Sequence, residues 1–162
     1  MGRRRRMIDL DNRILADPGT PAFQVAQYPF YLLNRLVGRY NKVIGRELQK
    51  LGLDIPSWRV LMILGEASPR SVRDIATAAV IPLSTMTRIV QRMEAAGFVR
   101  AAPSRQDARV TEVSLSPLGR AKTVNAREAA APVYRKLIAD IEEPEFNKLL
   151  DLLNRMHANL DD

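Results

Sequence analysis

Apolar residues recur at three- and four-residue steps over most of this chain, the spacing of helices with one buried face. Over residues 25–51 they fall at Leu33, Leu36, Val37, Tyr40, Ile44, Leu48 and Leu51, which predicts a helix ordered from about Pro29 and ended by Gly52. Asp54 is placed to cap a second helix, with Pro56 in its first turn, Trp58, Leu61, Met62 and Leu64 on one side, and Gly65 as its stop. Ser71 and Asp74 form an N-terminal Ser-x-x-Asp signature that opens a short helix to Ala79, with Val72, Ile75 and Ala79 inward. Pro82 starts the next. On a helical wheel centred on Met86, Leu83, Ile89, Val90 and Met93 fall within about 60° and predict a buried face. Ser84, Thr87, Arg88, Gln91 and Arg92 fall on the far side. Gly97 can adopt the left-handed conformation that ends this helix.

The period then changes. Residues 98–102 and 110–115 suit strands, and in the second Thr111, Val113 and Leu115 alternate with Glu112 and Ser114, as in a half-buried ribbon. Residues 103–109 join them. Beyond Pro117 and Gly119 a helical pattern returns through Ala121, Val124, Ala130, Val133, Tyr134, Leu137 and Ile138, with Pro132 predicted to kink or break it. Pro144 opens a last helix with Phe146, Leu149, Leu150, Leu153, Met156 and Leu160 as its stripe.

Two short helices, a tight turn and a hairpin make a winged helix-turn-helix over residues 54–116. The helices at 23–53 and 117–162 exceed what so small a module needs as core. They predict a helical dimerisation region, the alternative being an intramolecular bundle in a monomer. Residues 1–22 read as a mobile basic tail. The arginines at 3–6 suit either a DNA-contacting arm or a solvated terminus. The expected fold is mainly α with a small β-hairpin wing.

Charge narrows the function. The 162 residues carry a net charge of +7, which favours polyanionic partners. Residues 70–109 hold seven arginines against three acids, whereas residues 140–162 hold seven acids against two bases. A basic centre and an acidic end fit a nucleic-acid-binding module joined to a non-binding one. The polar-faced helix alone fits two readings, a solvated amphipathic helix or one that enters the DNA major groove with an arginine-tipped hairpin beside it. No apolar run approaches the roughly 20 residues of a membrane span. The chain has no cysteine, so disulfides and thiol chemistry are excluded, in keeping with a reducing cytoplasm. With His157 as the only histidine, no zinc-type metal cluster or Ser–His or Cys–His pairing is expected, and no glycine-rich phosphate loop is present. An enzyme is therefore not expected, nor is a cofactor. A non-specific basic DNA-binding or nucleoid-associated protein is the competing class.

The stretches GLDIPSWRVLMIL (52–64) and TMTRIVQRMEAAGFVRAAPSRQDARVTEVSLSPLG (85–119) resemble the MarR family of bacterial transcription regulators, and the resemblance extends over about residues 28–160. The Asp-x-Arg wing motif, at its spacing before Leu-Ser-Pro-Leu-Gly, is its most specific part. Ala108 stands where the family often has arginine, and Ser116 where it usually has threonine, a change that keeps a hydroxyl to cap the next helix. The resemblance implies a homodimer on a pseudo-palindromic duplex, acting as a ligand-responsive repressor. It implies that Arg109 enters the minor groove and Asp107 orients it, with Arg105 beside them on the wing. Ser84, Thr85, Thr87, Arg88, Gln91 and Arg92 become major-groove and phosphate contacts. It also implies release from DNA by a small molecule such as an aromatic acid, a phenol or an aromatic acyl-CoA. Tyr28, Tyr31, Arg35, Arg39 and Trp58 are the candidates to hold it, since arginine among aromatics can clamp a carboxylate.

Overall fold

The computed structural model describes residues 11–160, and the chain divides into two compact units, Met1–Arg46 and Glu47–Asp162. In the first unit Asp11 caps a five-residue helix, α1 (Asn12–Ala16), its carboxylate accepting from the Arg13 amide at 2.9 Å and the Arg13 guanidinium at 2.8 Å. Thr20 Oγ1 donates to the Ile14 carbonyl and Gln24 N to the Leu15 carbonyl. The described part of the expected tail is thus ordered by local hydrogen bonds, which leave no apolar period in the sequence. The arginines at 3–6 lie outside the described residues. A single 3-10 turn (Val25–Gln27) leads into α2 (Pro29–Gln49), which begins at the predicted proline.

The second unit is built on α3 (Ile55–Glu66), β1 (Arg70–Ser71), α4 (Val72–Ala79), α5 (Leu83–Ala95), β2 (Val99–Pro103), β3 (Thr111–Leu115), α6 (Pro117–Leu137) and α7 (Glu143–Ala158). Three helix starts carry the expected side-chain caps. Asp54 accepts from Ser57 N at 2.8 Å, Ser71 from Asp74 N at 3.0 Å and Ser116 from Gly119 N at 2.9 Å. Leu61, Leu64, Ile75, Met86, Met93, Val99 and Val113 are fully buried, so α3, α4, α5 and the sheet share one core. Gly97, at φ 75°, ends α5 as predicted.

The sheet has three antiparallel strands in the order β1-β3-β2, with Val99 opposite Leu115 and Arg70 opposite Val113. The pattern predicted only the hairpin, because the two residues of β1 show no period. α3 runs one residue past Gly65, the predicted stop, and its Cα faces Thr123 of α6. α6 is not broken at Pro132; five further residues complete it. Proline removes only its own donor, and Pro132 and Glu128 are both exposed, where water satisfies the freed carbonyl.

Leu83 departs from the predicted buried face. It is 43% exposed, while Met86, Ile89, Val90 and Met93 are 6% exposed or less. Side chains on a helix lean toward its N-terminus, so the first residue projects past the helix start instead of over a neighbouring turn. Val80, in the turn before it, adopts the left-handed conformation at φ 54° and is 88% exposed. For a β-branched residue that conformation costs about 1–2 kcal/mol. α7 has no buried residue and touches α6 through Tyr134 and Phe146, stacked edge-on at 6.5 Å.

Candidate nucleic-acid interface

α5 buries one face and leaves Ser84, Thr85, Thr87, Arg88, Gln91 and Arg92 exposed on the other. Its N-cap is Pro82, with no side-chain cap, so the first-turn amides keep free donors for a phosphate. Thr87 Oγ1 donates to the Leu83 carbonyl at 2.9 Å, which commits its proton and leaves its lone pairs and methyl outward.

The wing loop is braced from inside. Ser104 N donates to the Val110 carbonyl at 2.8 Å, and buried Ser104 Oγ donates to Glu112 at 2.9 Å while accepting from Gln106 N at 3.2 Å. Beyond this brace, Asp107 accepts from Arg109 N at 3.0 Å, Nε at 3.1 Å and Nη2 at 3.1 Å. The Arg109 side chain and then its backbone amide hold the Asp107 carboxyl below its ordinary value. The Arg109 side chain is nevertheless 91% exposed, so its fork is oriented without being buried. Arg105 is exposed on the same loop.

A cleft of about 490 Å³ lies between α5 and the wing, lined by Leu83, Thr87, Gln91, Arg109 and Thr111, with Arg73 from the first turn of α4. Arg73 is a cationic contributor that pattern reading did not single out; its place on α4 beside the Ser71 cap was the available signal. Glu94, the acid of α5, accepts from Ala101 N at 2.8 Å. β2 is an edge strand, and this bond ties that edge back to the helix. Nothing in the local spacing announces it.

Arg92 is placed differently from its neighbours. Its guanidinium donates to Asp54 at 2.5 Å and to Ser57 Oγ at 3.2 Å, across a second cleft of about 400 Å³ at the start of α3. Partial burial alone would raise the Asp54 carboxyl, but hydrogen bonds from Ser57 and then the charge of Arg92 outweigh it and the net shift is downward. A depressed carboxylate contributes stability above its unfolded value, near 4, and loses it as pH falls through the lower folded value. Asp54→Asn is therefore expected to lower the urea midpoint at pH 7 by under about 1 kcal/mol equivalent, since the pair is half-exposed. The deficit should shrink toward pH 3. An equal deficit at both pH values would show that the charge is not what matters.

Of the five expected effector residues, four lie in the first unit and one in the second. In the first unit the Arg35 guanidinium lies over the Tyr31 ring at 5.5 Å, Tyr28 meets Phe23 and Phe30 at 5.8 and 5.6 Å, and Arg39 is exposed. Trp58 belongs to the second unit, on α3, and its indole Nε1 is buried with no hydrogen-bond partner among the described residues. No group of three His, Asp or Glu side chains that could hold a metal occurs among the described residues. No described helix is long and apolar enough to cross a membrane.

Residues 51–110 match the model of the MarR family. The chain is 37% identical over 145 residues to the HTH-type transcriptional repressor IacR of Pseudomonas putida, covering 90% of this chain and 87% of that one. It is 30% identical over 101 residues to the homoprotocatechuate degradative operon repressor of Escherichia coli, covering 62% of this chain and 68% of that one. Among solved structures, a MarR-family transcriptional regulator from Silicibacter pomeroyi superposes with a TM-score of 0.77 at 31% identity, covering 85% of this chain and 92% of that one. With the polar-faced helix and the wing's first strand and loop inside residues 51–110, and the likeness to relatives running through the flanking helices, the chain belongs to the MarR family of winged helix-turn-helix transcription regulators.

Proposed function

We propose that this regulator is a repressor that binds a pseudo-palindromic operator as a homodimer and is released by a small aromatic ligand. The observation that carries the DNA reading is the shared cleft of α5 and the wing. Thr87 and Gln91 of α5 face base edges there, and Arg109, held by Asp107, reaches for the minor groove. Arg88 makes no ion pair or hydrogen bond among the described residues and is free for a phosphate or a guanine. Arg105 and Arg73 add phosphate contacts. Arg92 braces α3 through Asp54 and contributes less to DNA than its place on the wheel implies.

The dimer reading is supported by apolar faces that one copy leaves in water. Leu149, Leu150, Leu153 and Met156 form the exposed stripe of α7, Leu160 is exposed just past its end, and Leu36 and Val37 are exposed on α2. Apolar stripes of that length call for a partner, and a second copy supplies one by symmetry. For the ligand, the orphaned Trp58 indole N–H is a donor awaiting an acceptor, and Arg35 with Tyr31 offers a cation on an aromatic face. The name of the E. coli relative ties it to breakdown of homoprotocatechuate, an aromatic acid, which supports that chemistry as a first probe. Phenols and aromatic acyl-CoA thioesters follow.

The test is selection of duplexes from a random pool by the full-length protein, then anisotropy titrations with the selected duplex. A two-fold symmetric consensus is expected. Log K should fall with log salt at a slope of about −5 or steeper, because several phosphates are neutralised in each subunit. Millimolar homoprotocatechuate, or another aromatic acid, should weaken binding. Equal affinity for selected and scrambled duplexes would leave a non-specific DNA-binding protein instead.

A further inference from the structure

We infer that Leu83 is a specificity residue that reads the 5-methyl group of a thymine in each half of the operator. The inference rests on the operator-binding reading above. Of the five apolar side chains that the period of α5 assigns to the core, four are buried and Leu83 is not. It is the first residue of the helix, and it shares the α5–wing cleft with Thr87, Gln91 and Arg109. In a helix-turn-helix docked in the major groove, the N-terminal residues of the recognition helix meet base edges. The thymine methyl is the one apolar group that edge presents.

The surroundings favour an apolar contact over a polar one. The hydroxyl proton of Thr87 is spent on the Leu83 carbonyl, one turn back, so Thr87 leaves its methyl and lone pairs on that side. The Leu83 isobutyl group therefore shares its cleft with side chains that supply hydrogen bonds and charge, Gln91 and Arg109, and is itself able only to exclude water. An aliphatic side chain left in water at the leading edge of a DNA-reading helix gains by covering a methyl. It discriminates against cytosine, which lacks the methyl and presents an amino donor that leucine cannot satisfy.

Removing only the methyl tests this without altering the protein. In the duplex that the full-length protein selects, each thymine is replaced in turn by deoxyuridine, symmetrically in both halves, and affinity is measured by anisotropy. One position is expected to lose about 15-fold, roughly 4-fold for the methyl removed from each half-site. The same replacement should cost Leu83→Ala less than 2-fold. A thermal melt of Leu83→Ala within about 2 °C of the parent shows that the helix still folds, as an exposed site predicts. If no deoxyuridine costs the parent more than 2-fold, or if Leu83→Ala keeps the full sensitivity, the assignment to Leu83 is wrong. If selection gives no consensus at all, it is the operator reading that fails.

Discussion

Gly119→Ala is expected to destabilise the second unit by about 3 kcal/mol, through overpacking and lost hydrogen bonds. A Cβ at this position would lie 1.9 Å from the Phe98 carbonyl oxygen and 2.9 Å from its carbon. That obstacle is backbone, so it cannot be relieved by a side-chain rotation. The same carbonyl accepts from Ser116 N at 3.1 Å, and Ser116 Oγ donates to the Gly97 carbonyl at 2.6 Å. Opening the 1.9 Å contact to a tolerable distance means separating the start of α6 from the root of the wing and stretching both bonds. For a chain of this length, about 3 kcal/mol corresponds to roughly 6–12 °C in Tm at fixed protein concentration. A Tm within 2 °C of the parent would mean that the close approach is softer than its geometry. Operator affinity should fall as well, because the strand β2 that carries the wing leaves from Phe98.

The segment that set the spacing of the Asp-x-Arg motif in the sequence, Leu-Ser-Pro-Leu-Gly, thus has a physical content that its letters only half reveal. Ser116 was readable as a cap because capping is local, a matter of three residues. The approach of Gly119 to Phe98 joins residues about twenty apart and has no local signature. The same division runs through the molecule. The buried faces of α4 and α5 followed from the 3.6-residue period, and Val113 and Leu115 from the two-residue period. Leu83 obeyed the period and still came out exposed, because a wheel has no ends and a helix does. Asp54 was legible as the cap of α3 but not as the partner of Arg92, 38 residues away. That pairing engages one of the arginines that the resemblance had assigned to DNA contact. At the site, the exposed face of α5 and the Asp-x-Arg wing were readable in residue types and spacing. The bond from Glu94 to the edge of β2, the contribution of Arg73 to the cleft and the orphaned Trp58 indole were not, since each depends on which elements meet.

Arg109→Ala is expected to cost about 1–3 kcal/mol of operator affinity per subunit, or roughly 5–150-fold, while leaving the fold intact. The two effects separate because of how the wing is held. Asp107 takes one of its three hydrogen bonds from the Arg109 amide, which alanine retains, and the Ser104 brace does not involve the Arg109 side chain. The lost guanidinium is almost wholly exposed, so the unfolding midpoint should move by no more than about 0.5 kcal/mol equivalent. What alanine loses is a fork that Asp107 holds at two nitrogens, oriented before DNA arrives. Such a group gives up little conformational freedom on binding, and Arg109→Lys, which keeps the charge but not the fork, should recover only part of the affinity. The salt dependence should also become shallower, because one cation per subunit no longer displaces counterions. Unchanged affinity for Arg109→Ala would remove the wing from the interface and leave α5 as the sole reader. A loss of affinity matched by an equal loss of stability would make Arg109 a structural residue. A loss of affinity alone, with Arg109→Lys in between, is what an oriented minor-groove probe requires.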